Sequence, residues 1–520
     1  MLYSNMLITT YGCALQGVDT LPITIEVNWL FTGKSSLIVG LPYSAVRESL
    51  ERIESAFKTN GLRFPRTKLI INLAPADIRK NGTAFDLPIA LGILGASGQL
   101  EQASSLADYI IMGELSLNGT VRGIKGALPI ALQAKKEPAK KLILPADNLE
   151  EVSWVEGSLV WGARQLSDIL SFFAGRSDAL QTTSKNRNSP WPRAASPSHD
   201  FAQVRGQLQA KRALEIAAAG GHHAMLVGAP GAGKTMLAKR VASILPSFSY
   251  NEAIETSRIY SAAGKTYGKS CLLTDRPFRS PHHSITDKAL IGGGSLPQPG
   301  EISLAHHGVL FLDELPEFKK AVLDMLRQPI EERKVCIARA GRTIEFPASF
   351  MLIAAMNPCP CGYYNHPTLH CQCAPGMVRR YWQRLSGPLI DRIDLQIEIL
   401  PVTPQQMEAT SAATESSLAI RQRVEEARQR QAHRLGDLPG LYCNAQLEGA
   451  PLEKICAIDQ KGKQLLWQAM EKLKLSARAY DRLLKIARTI ADLEGEESIR
   501  PAHLAEAIQY RSLDRNNWAL

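Results

Sequence analysis

A chain of 520 residues is too long for one hydrophobic core and calls for about two to four domains, while 45% hydrophobic and 21% charged residues exclude wholesale disorder. No apolar run reaches the roughly 18 residues of a membrane span, and the opening Met1-Leu-Tyr-Ser-Asn lacks a basic signal-peptide region, so a cytoplasmic protein with no membrane partner is expected. The net charge of +10 is uneven: residues 1–180 carry 17 basic and 17 acidic side chains, so the whole excess falls on residues 181–520. That placement points to a polyanion such as nucleic acid, with plain solubility as the alternative.

Residues 1–175 alternate strand-like runs (Ile23-Thr-Ile-Glu-Val-Asn, Lys68-Leu-Ile-Ile-Asn-Leu) with the helical pattern that begins at Ser44, which predicts an α+β or α/β domain. The stretches Arg79–Leu91, Met112–Arg122 and Lys141–Asn148 together resemble the Lon-protease-like (ribosomal S5 domain 2-like) α+β domain. This resemblance implies a fold without its chemistry. Where Lon proteins place a serine nucleophile this chain has Ala84, and where they place a lysine it has Leu128. Without nucleophile and base there is no acyl transfer, and the domain reads as a non-proteolytic scaffold. Residues 176–199, rich in Ser, Thr, Asn and Pro and without hydrophobic period, read as a linker.

Ala224-Met-Leu-Val-Gly228 reads as a buried strand, Gly228-Ala-Pro-Gly231-Ala-Gly233-Lys234-Thr235 fits the P-loop spacing, and Met236–Ala242 continues a helix. The chemistry of this pattern is a cradle for ATP. Glycines turn backbone N–H groups toward phosphate, Lys234 neutralises it, and Thr235 sits on Mg²⁺. About 80 residues later, His307-Gly-Val-Leu-Phe-Leu-Asp313-Glu314 is an apolar strand ending in two carboxylates, so Asp313 is expected to orient Mg²⁺ and Glu314 to polarise the attacking water. Lys334–Ala338 and Arg342–Phe346 alternate around an Ala-Gly turn, a hairpin whose Arg339 and Arg342 would contact DNA phosphates without reading bases; a solvated outer hairpin is the plain alternative.

A third apolar run, Phe350–Met356, ends in Asn357, which by itself also reads as the start of a turn before Pro358. Nine cysteines make an odd count, and Cys359, Cys361, Cys371 and Cys373 offer four thiolates to a structural Zn²⁺; free thiols, or a site using His366 or His370, remain open. Segments such as Gly462–Met470 and Ala479–Arg488 carry helical apolar spacing, and the composition of 415–512 predicts a helical lid.

Arg276-Pro-Phe-Arg-Ser-Pro-His-His-Ser, Pro299–Gly308 and Asn357-Pro-Cys-Pro-Cys-Gly resemble the magnesium-chelatase-like AAA+ proteins, in particular the ComM/YifB group, over nearly the whole chain. The resemblance implies an AAA+ P-loop α/β core at 200–400 and a C-terminal helical domain at 401–520. It also implies a sensor role for Asn357, an arginine finger at Arg392 reaching a neighbour's γ-phosphate, and a second sensor arginine at Arg478. Each arginine alone reads as a surface charge, and for Arg392 a structural pairing with Asp391 or Asp394 is the alternative. For that group it further implies a homo-hexameric ATP-driven DNA motor in branch migration during natural transformation, with recombination proteins as partners. The hairpin is similar to the pore hairpin of MCM helicases, and Ile291-Gly-Gly-Gly-Ser reads, on resemblance alone, as a second pore loop. A chelatase-type ATPase acting on a protein or a metal-insertion complex is the competing reading; with no integrin-type domain following, porphyrin metallation is in doubt. DNA-stimulated ATP hydrolysis separates the two.

Overall fold

The computed structural model describes residues 7–183, 199–402 and 415–511, apart from 31, 32, 34, 35, 79, 81, 138, 139, 158, 267–271, 295, 296, 340, 341, 437 and 439. Most of the expected linker, 184–198, lies outside the described residues. The chain divides into two compact units. The first takes its residues from 1–192, 253–273 and 339–345, the second from 193–252, 274–338 and 346–520.

The first unit is built on a mixed eight-stranded sheet. Its strands are β1 (Leu7–Gln16), β2 (Asp19–Trp29), β3 (Leu37–Val39), β4 (Leu69–Ala74), β5 (Tyr109–Ile111), β6 (Lys141–Pro145), β7 (Val160–Ala163) and β8 (Gln181–Thr182), in the order β8-β7-β6-β5-β1-β2-β4-β3. β1 and β2 pair antiparallel with Gln16 opposite Asp19, and Gly17 supplies the left-handed turn residue at φ 69°. Helix α1 (Ser49–Thr59) buries Ile53, Ala56 and Phe57, while every residue of α2 (Asp86–Ala96) is buried. α2 approaches the sheet at Gly92, where an added Cβ would meet Val27 Cγ2 at 2.6 Å. Ala84 lies in a single turn, Thr83–Phe85, and Leu128 is fully buried in α3 (Ala127–Lys136). Gln181 and Thr182, linker by composition, instead extend the sheet by pairing with Gly162 and Trp161.

Residues 253–273 fall in the span expected for the ATPase core but pack in this first unit. Ser261 accepts the Gly126 N–H at 3.1 Å, Arg258 pairs with Asp19 at 2.6 Å, and the Thr266 hydroxyl donates to Glu151 at 3.0 Å.

The second unit holds an all-parallel five-stranded sheet of β9 (Ala224–Gly228), β10 (Phe278–Arg279), β11 (Val309–Leu312), β14 (Met351–Met356) and β15 (Leu395–Ile399), in the order β10-β11-β14-β9-β15. Two further strands, β12 (Lys334–Arg339) and β13 (Arg342–Pro347), form a separate two-stranded sheet, the hairpin expected there, of which residues 339–345 are grouped with the first unit. β9, β11 and β14 are buried at every position, as a parallel sheet covered on both faces requires. Helices α4 (Leu208–Gly220) and α5 (Lys234–Ile244) share one apolar core with C-terminal helices α7 (Ser417–Leu435), α8 (Gln460–Leu473), α9 (Ala477–Glu494) and α10 (Pro501–Gln509). A shorter helix, α6 (Pro375–Trp382), precedes them.

The C-terminal helices are tied by a buried ionic cluster. Asp492 has no exposed side-chain surface; it accepts from Arg488 at 3.0 Å, from Asn444 at 2.8 Å and from Arg434. Asp492→Ala would leave Arg488, itself 2% exposed, without its counter-charge. A loss of about 3–5 kcal/mol is expected, read as a lower urea midpoint. Glu494→Ala, which removes a side chain 47% exposed, should change stability by less than about 1 kcal/mol.

Candidate active site

The P-loop leaves the C-terminal end of β9, between β14 and β15, where ligands of open parallel sheets gather. Gly228 is required by close approach: a Cβ there would meet the Ile399 carbonyl oxygen at 2.3 Å. Gly231 and Gly233 hold φ of 77° and 91°, a region that strains any other residue, and Gly233 immediately precedes α5. The free N–H groups and positive dipole end of α5 therefore face the loop.

Three strand ends converge here. Lys234 Nζ donates to the Gly228 and Ala229 carbonyls at 2.7 and 2.9 Å and to Asn357 Oδ1, at the end of β14, at 2.9 Å. Burial pushes the Lys234 pKa below its ordinary value, with Asp313 and Glu314 opposing. The Thr235 hydroxyl donates to Asp313 Oδ2 at 2.6 Å. A hydroxyl beside a carboxylate at a helix N-terminus is a hard-oxygen pair suited to Mg²⁺, so the residues present fit that ion.

Glu314 follows in the left-handed region at φ 52°, a strained conformation for a non-glycine residue. Its side chain is 60% exposed, with His283 Nδ1 3.4 Å from Oε2. His283 was missed as a functional residue. It belongs to a motif quoted for resemblance, but nothing in its local spacing announced a carboxylate partner 31 positions away.

The two arginines are placed elsewhere. Arg392 precedes the N-terminal end of β15, so in this parallel sheet it lies at the edge opposite the P-loop. It pairs with neither Asp391 nor Asp394: its Nη2 meets Glu331 Oε1 at 2.6 Å and its Nη1 donates to the Pro388 carbonyl at 2.6 Å. Asp394 is taken by Arg482 at 2.5 Å. Hydrogen bonding from Arg392, with the charges of Arg478 and Arg482, holds the Glu331 carboxyl below its ordinary range. Arg478 is exposed at the start of α9, and its charge acts on the Glu331 carboxyl that Arg392 pairs with.

The side chains of Arg339 and Arg342 and the turn residues 340–341 lie outside the described residues. Of the Gly-rich stretch, Gly292 and Gly293 pair with Pro299 and Gln298 in a short hairpin whose tip, 295–296, is also outside them.

The four cysteines converge. Cys359 Sγ lies 3.3 Å from Cys361 Sγ and 3.6 Å from Cys371 Sγ, Cys361 and Cys371 are 3.6 Å apart, and all four sulfurs fall within 4.8 Å of one another. Burial would raise the Cys361 thiol, but N–H groups of Tyr363 and Gln372 and the neighbouring thiols bring it down to about 6.

The chain matches family models described as magnesium chelatase, subunit ChlI, over residues 200–407, subunit ChlI of Mg-chelatase over 25–148, and the ChlI C-terminal region over 414–511. It is 43% identical over 507 residues to competence protein ComM of Haemophilus influenzae, covering 97% of each chain. To the uncharacterized protein YifB of Escherichia coli it is 44% identical over 504 residues, 96% of each. Local likenesses are weaker: 27% over 128 residues to Lon protease 2 of Bacillus subtilis, and 26% over 180 residues to DNA replication licensing factor MCM7 of rice, Oryza sativa. These cover 24% and 34% of this chain, and 22% of each relative. No helix among the described residues is long and apolar enough to cross a membrane. The chain belongs to the magnesium-chelatase-like ComM/YifB family, with a mixed α/β architecture and an AAA+-type ATPase domain.

Proposed function

We propose that the protein is an ATP-hydrolysing motor that works on DNA as a homo-hexamer, in branch migration during uptake and recombination of transforming DNA. The observation that carries the ATPase reading is the hydrogen-bonded set Lys234–Asn357 and Thr235–Asp313, which joins three strand ends at one helix N-terminus. Thr235 and Asp313 would hold Mg²⁺, which supplies charge neutralisation to the phosphates. Glu314 would orient and polarise the attacking water, and Asn357 would report the γ-phosphate.

The position of Arg392 at the far edge of the sheet, with the Arg478 charge acting on the same Glu331, supports a role toward a neighbouring subunit. An arginine there is of no use to its own P-loop and is suited to a phosphate carried by a second copy. For Arg392 to act so, its guanidinium must exchange Glu331 for that phosphate. The DNA reading rests on the name of the ComM relative, on the local likeness to MCM7, and on the hairpin that carries Arg339 and Arg342. The front domain, with Ala84 and buried Leu128 in place of a nucleophile and its base, serves as a scaffold.

A chelatase-type ATPase acting on a protein or metal-insertion complex is the second reading, favoured by the family descriptions themselves. ATP turnover measured with and without single-stranded, duplex and branched DNA decides between them. Stimulation by DNA is expected; an unchanged rate with all three would remove the motor reading.

A further inference from the structure

Four thiols meeting in one loop need an explanation that the nucleotide site does not give. The three closest sulfur pairs, at 3.3, 3.6 and 3.6 Å, are too far apart for a disulfide, whose S–S bond is about 2.0 Å. They are close to the spacing of about 3.8 Å that a tetrahedron with Zn–S bonds of about 2.3 Å imposes. Backbone groups complete the arrangement. The Cys361 N–H points at Cys373 Sγ at 3.4 Å, while the Gly362 N–H closes a turn onto the Cys359 carbonyl at 3.0 Å. An N–H···S bond suits a sulfur that carries negative charge, and the four sulfurs lie within 4.8 Å of one another. Four mutually facing thiolates repel unless a cation lies among them.

The loop is also fastened to the nucleotide site. It begins at Pro358, directly after Asn357, and it ends at α6, whose Trp382 Nε1 donates back to the Pro358 carbonyl at 2.9 Å. Between these ends Gly362, at φ 85°, lies against the P-loop: a Cβ there would meet Pro230 Cδ at 2.4 Å. The cysteine loop thus touches the P-loop at one point and continues the Asn357 strand at another.

We propose that Cys359, Cys361, Cys371 and Cys373 bind one Zn²⁺, and that this clip positions the P-loop and Asn357 for nucleotide. The second half rests on the nucleotide-site reading given above. The metal does no chemistry on ATP; it closes the loop of residues 359–373 so that the Pro230–Gly362 contact and the Asn357 amide keep their places. Binding releases the thiol protons to solvent and leaves the cysteines as thiolates.

The test uses the full-length protein purified under reducing conditions. Metal analysis is expected to find one zinc per chain, and titration of the wild-type thiols with an organomercurial is expected to release it as four thiols react. Cys371→Ser with Cys373→Ser should abolish zinc binding. Metal-free wild-type protein, or zinc retained in the double variant, would overturn the site; the mercurial titration keeps the decision open to measurement if the double variant does not fold. For the positioning role, Gly362→Ala retains all four cysteines. It should keep its zinc and bind ATP roughly tenfold more weakly than wild type, since strain of this kind is worth about that factor. Full zinc with unchanged ATP affinity would overturn the coupling. The zinc count is made without nucleotide, so its failure is distinct from failure of the nucleotide-site reading, which wild-type ATP binding decides.

Discussion

Glu314→Gln is expected to bind ATP as the wild type does and to lose turnover by about two to four orders of magnitude, the range over which a positioned general base acts. Its side chain is 60% exposed beside His283 and its charge acts on Lys234 through space, so removing that charge leaves the phosphate cradle in place. Lys234→Ala makes the contrast. That side chain is buried and joins Gly228, Ala229 and Asn357, and its loss should weaken nucleotide binding itself. Equilibrium binding of a labelled ATP analogue, measured beside steady-state hydrolysis, separates the two. Normal turnover in Glu314→Gln would sink the assignment of the base, and attention would move to the neighbouring His283.

Arg392→Ala carries the second large effect. If its guanidinium completes the site of an adjoining subunit, hydrolysis should fall by about 10³ to 10⁵ while ATP binding persists. The Glu331 left behind is 43% exposed and can be solvated, but Arg392 itself is only 8% exposed and also donates to the Pro388 carbonyl, so its removal carries a stability cost that must be measured beside hydrolysis. A catalytic defect far larger than the accompanying shift in urea midpoint explains is therefore the signature. Mixing Arg392→Ala with Glu314→Gln should restore activity at interfaces where an intact arginine meets an intact carboxylate. Near wild-type hydrolysis by a well-folded Arg392→Ala protein would refute the finger, and with it the strongest reason to think that a ring is obligatory. Glu331→Gln, which frees the guanidinium from its partner within the chain, should preserve or raise turnover under the same reading.

Much of the site's proximity was legible because it is written locally. Gly228 to Thr235 are contiguous, and each of the apolar runs Val309–Leu312 and Met351–Met356 ends in a polar residue, which a parallel sheet then carries to one edge. The hairpin strands around residues 340–341 and the clustering of Cys359, Cys361, Cys371 and Cys373 follow from short spacings as well. What escaped was pairing at a distance. That Glu331 holds Arg392, 61 positions on, depends on which elements meet, and the nearer Asp391 and Asp394 were the natural local guesses. His283 beside Glu314 escaped for the same reason. The strand Gln181–Thr182 was hidden by its own composition, since two exposed polar residues at a sheet edge look like linker until their partner strand is known.

The allegiance of residues 253–273 has a consequence for how such a protein can be inherited. The chain passes from the P-loop helix into the first unit, where Ile259 and Ala262 are buried, before it returns at residue 274 to form the second strand of the ATPase sheet. The two units are therefore not consecutive modules that recombination could cut apart at 184–198 and reuse. A gene fragment that begins after that point encodes a motor with an orphaned excursion, while one that ends there encodes a front domain with part of its core missing. Descent of the pair as a single block is what this threading enforces.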